Sequence, residues 1–487
     1  MKDTRPDILI INPPSPEAFQ TNRDFMGGFG ATNAKGVTRV PSLMAEYVAG
    51  ILRHNGFNAD IMDLAVEEDF REAARSIEGS GIIGLYCGTA TFKDDLEFAD
   101  YVKKKSGAFV FMFGPQVSAA PEYAMAHSVL DAVICGEPEY ASLELAGKIR
   151  ESERDLSGIK GLWWRTPGQG RCAAGQEVIK NAPRPPEQHL DAIPFPYRNL
   201  KCIDKYFYID YENPFITILS SRGCPYDCIY CPYPVSQGTK FRARSPQNVI
   251  EELLYEKGRF DYKMILFRDP VFSFDRKRVI ELCRLLKEKI NVKWRCETTC
   301  LNVDETLLDI MRQSGCIGIN FGIETGSPSL IEKYAKKSGG LDRIRRVFAH
   351  CRKIGIKTTG FFMVGLPGET KKTMRETLEF AVKIDPDEIN FTTATPFPGT
   401  VLNKMLREKG LIRGDEFEDY SVYRCVADVE EMSSQEIQNE LIKMYLLFYL
   451  RPKRLFSELF GRPRLFLRKS FSMFRLLLKI DKKCKKV

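Results

Sequence analysis

Three cysteines in one short stretch carry the densest chemistry of this chain: Cys224, Cys228 and Cys231, within Ser220 to Pro232, SSRGCPYDCIYCP. Three residues separate the first pair and two the second. Thiolates are soft ligands, and a tight cluster of them selects zinc, copper(I) or an iron–sulfur cluster. A structural zinc site closes with four ligands, whereas here the local count is three and no His stands nearby. A cubane cluster takes one cysteine per iron. Three cysteines therefore leave one iron open to a substrate or cofactor. The alternative is a zinc knuckle with a distant fourth ligand such as Cys202 or Cys283.

The elements that position this loop follow a β-then-α rhythm. Phe215–Leu219 is apolar and β-branched and reads as a strand running into the cysteines. Further strands are expected at 263–268, 292–297, 316–323, 357–364 and 388–394, with amphipathic helices at 246–257, 276–289, 304–314, 341–354 and 370–383. Six such units predict a partial TIM-type barrel, open on one side. Its active site belongs at the C-terminal strand ends, the face on which the cysteine loop falls. The other ends carry Asp269, Glu324 between Gly322 and Gly326, Gly365-Leu366-Pro367-Gly368-Glu369-Thr370, and Pro396-Phe397-Pro398-Gly399-Thr400. A carboxylate there can accept from an ammonium or a ribose hydroxyl, and glycine lets a flat purine or a methionyl group approach. Helix capping is the alternative for Asp269, Glu369 and Glu324.

Ahead of the barrel the same alternation begins earlier. Asp7–Asn12 reads as a buried strand closed by Pro13-Pro14, residues 15–40 as a long loop, and Ser42 as the cap of a helix over 43–54. Strands at 58–62, 81–86, 108–113 and 132–135 and helices at 93–105, 121–127 and 140–150 complete a doubly wound parallel sheet. Such sheets bind ligands at their carboxyl strand ends. Those ends carry Asn12-Pro13-Pro14, Cys87-Gly88-Thr89, Gly114-Pro115-Gln116 and Gly136-Glu137. Plain strand-to-helix turns explain the glycines equally well. No GxGxxG follows the first strand, which disfavours a nicotinamide cofactor. Five prolines in 182–196 mark a connector. The expected division is 1–150 as a Rossmann-like domain, 151–212 as linker, 213–430 as barrel and 431–487 as a helical, basic extension.

At 44% apolar and 28% charged residues, the composition is that of an ordinary globular protein. The 14 cysteines are scattered, unlike a secreted disulfide framework. No signal peptide and no run of about 18 apolar residues is visible. A cytoplasmic location is expected. The net charge of +8 belongs to the end of the chain: residues 451–487 hold 13 Lys and Arg against 2 acids, leaving −3 for the rest. That tail also carries recurring Phe and Leu, and so suits peripheral contact with an anionic membrane. A packed cap is its alternative. No nucleic-acid partner is expected.

The SSRGCPYDCIYCP stretch, with Tyr230 before the third cysteine, resembles the CxxxCxxC signature of radical S-adenosylmethionine (SAM) enzymes. The order NPP, then Gly56 to Asp63, then Gly114-Pro115, then Gly136-Glu137-Pro138-Glu139 resembles the cobalamin-binding domain fused ahead of such barrels. This chain has Pro115 where a second glycine is common and lacks Asp-x-His-x-x-Gly. The resemblance implies a [4Fe–4S] cluster on Cys224, Cys228 and Cys231, with SAM on the open iron and cleaved to a 5′-deoxyadenosyl radical. It places Tyr230, Asp269, Glu324, Gly365 and Pro396 around SAM, and Gly114 and Gly136 beside cobalamin bound without a histidine on cobalt. The implied activity is methylation of an unactivated carbon of a small-molecule or lipid substrate, with flavodoxin or ferredoxin as electron donor. The alternatives are a radical rearrangement or cyclisation of the magnesium-protoporphyrin cyclase type, or a non-catalytic corrinoid carrier.

Overall fold

The structure is a computed structural model that describes residues 6–16, 19–33, 37–67, 70–166, 177–208, 211–334, 339–414, 416–452 and 454. Two parallel sheets organise it. The first contains β1 (Ile8–Asn12), β2 (Ala59–Asp63), β3 (Ile82–Tyr86), β4 (Phe109–Phe113), β5 (Ala132–Ile134), β6 (Leu162–Arg165) and β7 (Val178–Lys180), in the order β7-β6-β5-β4-β3-β1-β2. Strands β1 to β5 pair in parallel, and β6 and β7 add antiparallel at one edge. The stretch expected as a linker from 151 therefore extends this sheet. Strands β1 and β3 are buried along their whole length, because helices cover both faces, as an all-parallel core requires. The covering helices are α1 (Leu43–His54), α2 (Phe70–Gly79), α3 (Phe92–Ser106), α4 (Pro115–Ala119), α5 (Pro121–Ala126) and α6 (Glu139–Arg150).

The second sheet is the barrel: β8 (Phe215–Ile218), β9 (Met264–Phe267), β10 (Lys293–Thr298), β11 (Cys316–Glu324), β12 (Lys357–Val364) and β13 (Glu388–Thr393). They lie in sequence order, all parallel, and β8 does not pair with β13, so the barrel is open. Its helices are α7 (Tyr233–Gln237), α8 (Pro246–Lys257), α9 (Arg276–Leu285), α10 (Glu305–Gln313), α11 (Pro328–Tyr334), α12 (Leu341–Ile354), α13 (Lys371–Ile384) and α14 (Val401–Glu408). Side-chain caps start several of them, among them Ser245 for α8, Asp304 for α10 and a Thr370–Thr373 capping box for α13. One continuous apolar core fills the space between strands and helices.

Three expectations change. The described residues of the loop expected at 15–40 form a strap: Gln20–Asn22 pairs with Ala31–Asn33, and Thr38–Arg39 pairs with Phe207–Tyr208, whose tyrosine packs against the starts of β8 and β9. Ser42 does not cap α1 with its side chain. Asp24 of the strap reaches over and accepts from the Leu43 N–H instead. Helix α15 (Ser434–Tyr449), begun by a Ser433–Glu436 capping box, is not an appendage. It packs beside β13, where the Tyr445 hydroxyl donates to Asn390 Oδ1 at 3.0 Å. The membrane expectation for 451–487 falls outside the described residues except for Arg451, Pro452 and Arg454. No helix among the described residues is long and apolar enough to cross a membrane.

Candidate functional site

The cysteine loop is held from both ends. At its start the Ser220 and Ser221 hydroxyls donate to Asp269 at 3.0 and 2.6 Å. Asp269 is fully buried, and that burial pushes its carboxyl up. It is not on the cavity wall, so its structural place is beneath the loop. Arg222 follows and forms ion pairs with Glu139 and, at 3.4 Å, Glu137 of the first sheet's rim. Glu137 also holds Arg242 at 2.7 Å. Burial works against the charge on Arg222, but the two carboxylates more than offset it and its pKa is raised. Glu137 lies in turn below its usual range, because Arg222 and Arg242 outweigh its own burial. Gly223 is obligatory: at φ +76° a Cβ would stand 2.1 Å from the Lys240 carbonyl oxygen. At the far end, the Leu402 N–H donates to the Ile229 carbonyl at 2.8 Å.

Cys224, Cys228 and Cys231 open together on one cavity of about 510 Å³. Tyr230 is on its wall too, packed with Met363 and Leu366. Among the described residues no three His, Cys, Asp or Glu side chains stand close enough to share a single ion. Cys202 is buried elsewhere with its thiol on Glu67 at 3.0 Å, and Cys283 belongs to the barrel core. Neither is on the wall beside the three cysteines. A soft trithiol set facing an open volume fits a cluster with one open iron.

Glu324 shares that wall and has a strained backbone, with φ +72° at a bulge of β11. A left-handed non-glycine residue costs about 1–3 kcal/mol and persists only when its surroundings over-determine it. Here α13 does so. The Gly326 N–H donates to Thr377 Oγ1 at 3.0 Å, and Ser327 Oγ donates to Glu376 at 2.6 Å. Gly365 and Pro396 are not on the wall. The Gly365 N–H donates to Glu369 at 3.3 Å, and the Pro396 carbonyl accepts from Asn403 Nδ2 at 2.7 Å. Both order the loops around the cysteines. Glu369 is fully buried, and its carboxyl is pushed up to about 7 by that burial, against the Thr373 and Gly365 hydrogen bonds.

The first sheet's strand ends lie across from the barrel. Between β1 and β3, where the strand order reverses, the crevice is filled by Arg23, fully buried and paired with Asp95. Its guanidinium also donates to Asn12 Oδ1 at 2.9 Å and the Pro13 carbonyl at 2.8 Å. The ligand side is thereby moved toward β4 and β5. There Gly114 has φ +129° and Gly136 has φ +91° with open space where a side chain would stand. Between them, the fully buried Gln116 has an Nε2 with no partner among the described residues. This orphan donor and the bare Gly136 suit the amide-bearing edge of a corrinoid.

The sequence reading missed the rest of the wall: strap residues Phe25, Met26 and Thr38, the barrel-interior residues Arg268, Glu297, Asn320 and Glu388, and Tyr445 of α15. For Glu297, Asn320 and Glu388 the signal is the period of two within the strands, where polar residues face the interior of a barrel.

Comparison with known proteins agrees with this layout. A family model for the B12 binding domain matches residues 31–146 and one for the Radical SAM superfamily matches residues 218–381. An uncharacterized methyltransferase of Pyrococcus horikoshii, PH0819, is 31% identical over 461 residues, 93% of this chain and 94% of that protein. The anaerobic magnesium-protoporphyrin IX monomethyl ester cyclase of Rubrivivax gelatinosus is 26% identical over 84% of this chain and 74% of its own length. The fold matches that of the radical SAM methyltransferase TsrM from Kitasatospora setae, solved with tryptophan and a SAM analogue. Its TM-score is 0.65 at 17% identity, covering 89% of this chain and 82% of that one. With both family models met in this order and one relative alike over nearly its full length, the chain belongs to the cobalamin-binding radical SAM enzymes, whose cofactors are a [4Fe–4S] cluster, SAM and cobalamin.

Proposed function

We propose that this enzyme methylates an unactivated carbon of a small molecule held in the barrel cavity. The observation that carries this is the single cavity on which the three cysteines, Glu324 and the strap of the first sheet all open. In this reading Cys224, Cys228 and Cys231 hold the cluster. Glu324 accepts from the SAM ammonium, and Tyr230 backs the third cysteine. Asp269, Gly365 and Pro396 keep the surrounding loops in place. Gly114, Gln116 and Gly136 hold the cobalamin edge. When bound, the cluster supplies an electron, SAM a radical source and cobalamin a methyl group; the protein aligns them and keeps water out. Phe25, Met26 and Thr38 of the strap cover the cavity from the first sheet's side. A flavodoxin or ferredoxin is the proposed electron donor.

The similarity to a cyclase favours one second reading, ring closure without methyl transfer. One experiment separates the two. The anaerobically reconstituted enzyme is given methyl-deuterated SAM, hydroxocobalamin, a reductant and a small-molecule extract of its host, and products are read by mass spectrometry. Methyl transfer predicts a product carrying the label. A product that loses hydrogen without gaining label supports cyclisation and overturns the methylation reading.

A further inference from the structure

We propose that the floor of the barrel cavity receives the amine-bearing end of a substrate with a flat apolar body. This rests on the reading above, that the substrate occupies this cavity. The parallel register sets one row of side chains across four neighbouring strands: Glu297 opposite Asn320, Asn320 opposite Thr359, and Thr359 opposite Glu388. All four line the cavity. The next row toward the cysteines is Gly322, Phe361 and Asn390, and Glu324 lies beyond it. From Asn320 to Glu324 is about 13 Å of strand, at roughly 3.3 Å per residue. That span is the length of a small molecule with one end at the floor and the other near the cysteines.

The floor is rich in acceptors. Glu297 Oε1 accepts from Arg268 Nη1 at 2.9 Å and from Asn320 Nδ2 at 3.5 Å. The other Glu297 oxygen has no partner among the described residues. Asn320 Oδ1 is buried without a partner there. Glu388 has no cation within ion-pair distance among the described residues, and its hydrogen bond from Thr359 is long, at 3.4 Å. Arg268 is the one Lys or Arg on the described wall, and it is already paired with Glu297. Arg295 lies one row deeper and off the wall, stacked 4.5 Å from the ring centre of Tyr211, with Nε and Nη2 buried without partners among the described residues.

A carboxylate drawn out of water wants a cation or several N–H donors. An ammonium set among Glu297, Asn320 and Glu388 meets that need, whereas a carboxylated ligand adds like charge. The walls around the floor are aromatic. Tyr208 and Tyr211 stack at 4.0 Å and 10°, and Phe361, Tyr423, Tyr445 and Tyr449 complete the lining. Rings in these positions take a flat apolar body.

The test is binding without turnover. The reconstituted holoenzyme is dialysed to equilibrium, without reductant, against three probes that share one ring: tryptamine, tryptophol and indole-3-propionate. Tryptamine is expected to bind tightest, about ten- to a hundredfold above indole-3-propionate. Glu388→Gln should abolish that preference. Glu297→Gln should narrow it less, since Glu297 is already shared with Arg268. Cluster absorbance equal to wild type reports that each variant is folded. Tightest binding of indole-3-propionate would assign the floor to Arg295 and overturn the proposal. Equal binding of all three probes, binding of none, or a preference unchanged in both variants overturns it as well. Failure of the methyl-label experiment leaves this readout untouched, so the two claims fall separately.

Discussion

The clamp between the two sheets and the floor of the barrel are built from the same residue types, Glu and Arg, and use them oppositely. In the clamp every carboxylate meets a guanidinium: Glu139 and Glu137 on Arg222, Glu137 on Arg242, and Glu46 on Arg198 at 2.7 Å, which also holds Glu252 at 2.6 Å. These side chains are almost fully buried. On the floor, Arg268 and Glu297 keep 16% and 20% of their side-chain exposure, and acceptors remain open. Paired, buried charge fixes one arrangement of the sheets. Charge left open on a cavity wall waits for a ligand. The two regions should therefore fail differently when changed.

The largest effect is expected at the loop that both regions serve. Replacing Cys224, Cys228 and Cys231 together by Ala should abolish visible cluster absorbance, bound iron and SAM cleavage. Far-UV circular dichroism should keep its wild-type shape, since the clamp does not use the thiols. Retention of wild-type iron in this variant would refute the ligand assignment.

Next comes the clamp itself. Arg222→Met strands Glu139 and leaves Glu137 with Arg242 alone. Breaking a buried pair from one side costs about 3–5 kcal/mol. Removing the facing carboxylate too, as Arg222→Met with Glu139→Gln, should recover part of that loss. Urea denaturation measures both. A cost below about 1 kcal/mol for Arg222→Met would show that the clamp is not what seats the cysteine loop.

Glu324 shows the opposite pattern, because it stands on the wall. Glu324→Gln should weaken SAM binding by about ten- to a hundredfold, the worth of one charge-assisted hydrogen bond. Cluster content should stay at the wild-type level. Unchanged SAM affinity and cleavage would make Glu324 a structural residue.

The smallest effect concerns Glu369, a buried carboxyl with no cation at ion-pair distance among the described residues. Its pKa is raised to about 7 in the fold from an ordinary 4.5. Between those values the folded chain binds more protons than the unfolded one. Its contribution to stability is therefore present at low pH and lost as pH rises through about 7. Melting temperatures at pH 6 and pH 8 should differ more for wild type than for Glu369→Gln. Equal differences would remove Glu369 as the source.

Much of this was legible in the sequence because it is local. Strand β12 (Lys357–Val364) and helices α8 and α12 fall where periodicity puts them, and the other barrel strands begin and end within two residues of expectation. The spacing of the cysteines was enough to single out their loop. What was not legible depends on long-range register. Glu137 and Glu139 read as part of a cofactor motif, yet Glu139 binds Arg222, 83 residues away. Asp269 read as a pocket carboxylate because it ends a strand, yet Ser220 and Ser221 turn it under the loop. The floor row exists only once four strands are aligned, and no single strand announces it.

The central claim is that the three cysteines hold a cluster with one iron open to SAM, on the wall of the substrate cavity. Electron paramagnetic resonance of the reduced, anaerobically reconstituted enzyme tests this most directly, with and without SAM. The account predicts a [4Fe–4S] signal that shifts when SAM is added, and a much smaller shift at the same SAM concentration in Glu324→Gln. A signal unmoved by saturating SAM, or zinc in place of iron in the anaerobically purified protein, would contradict it.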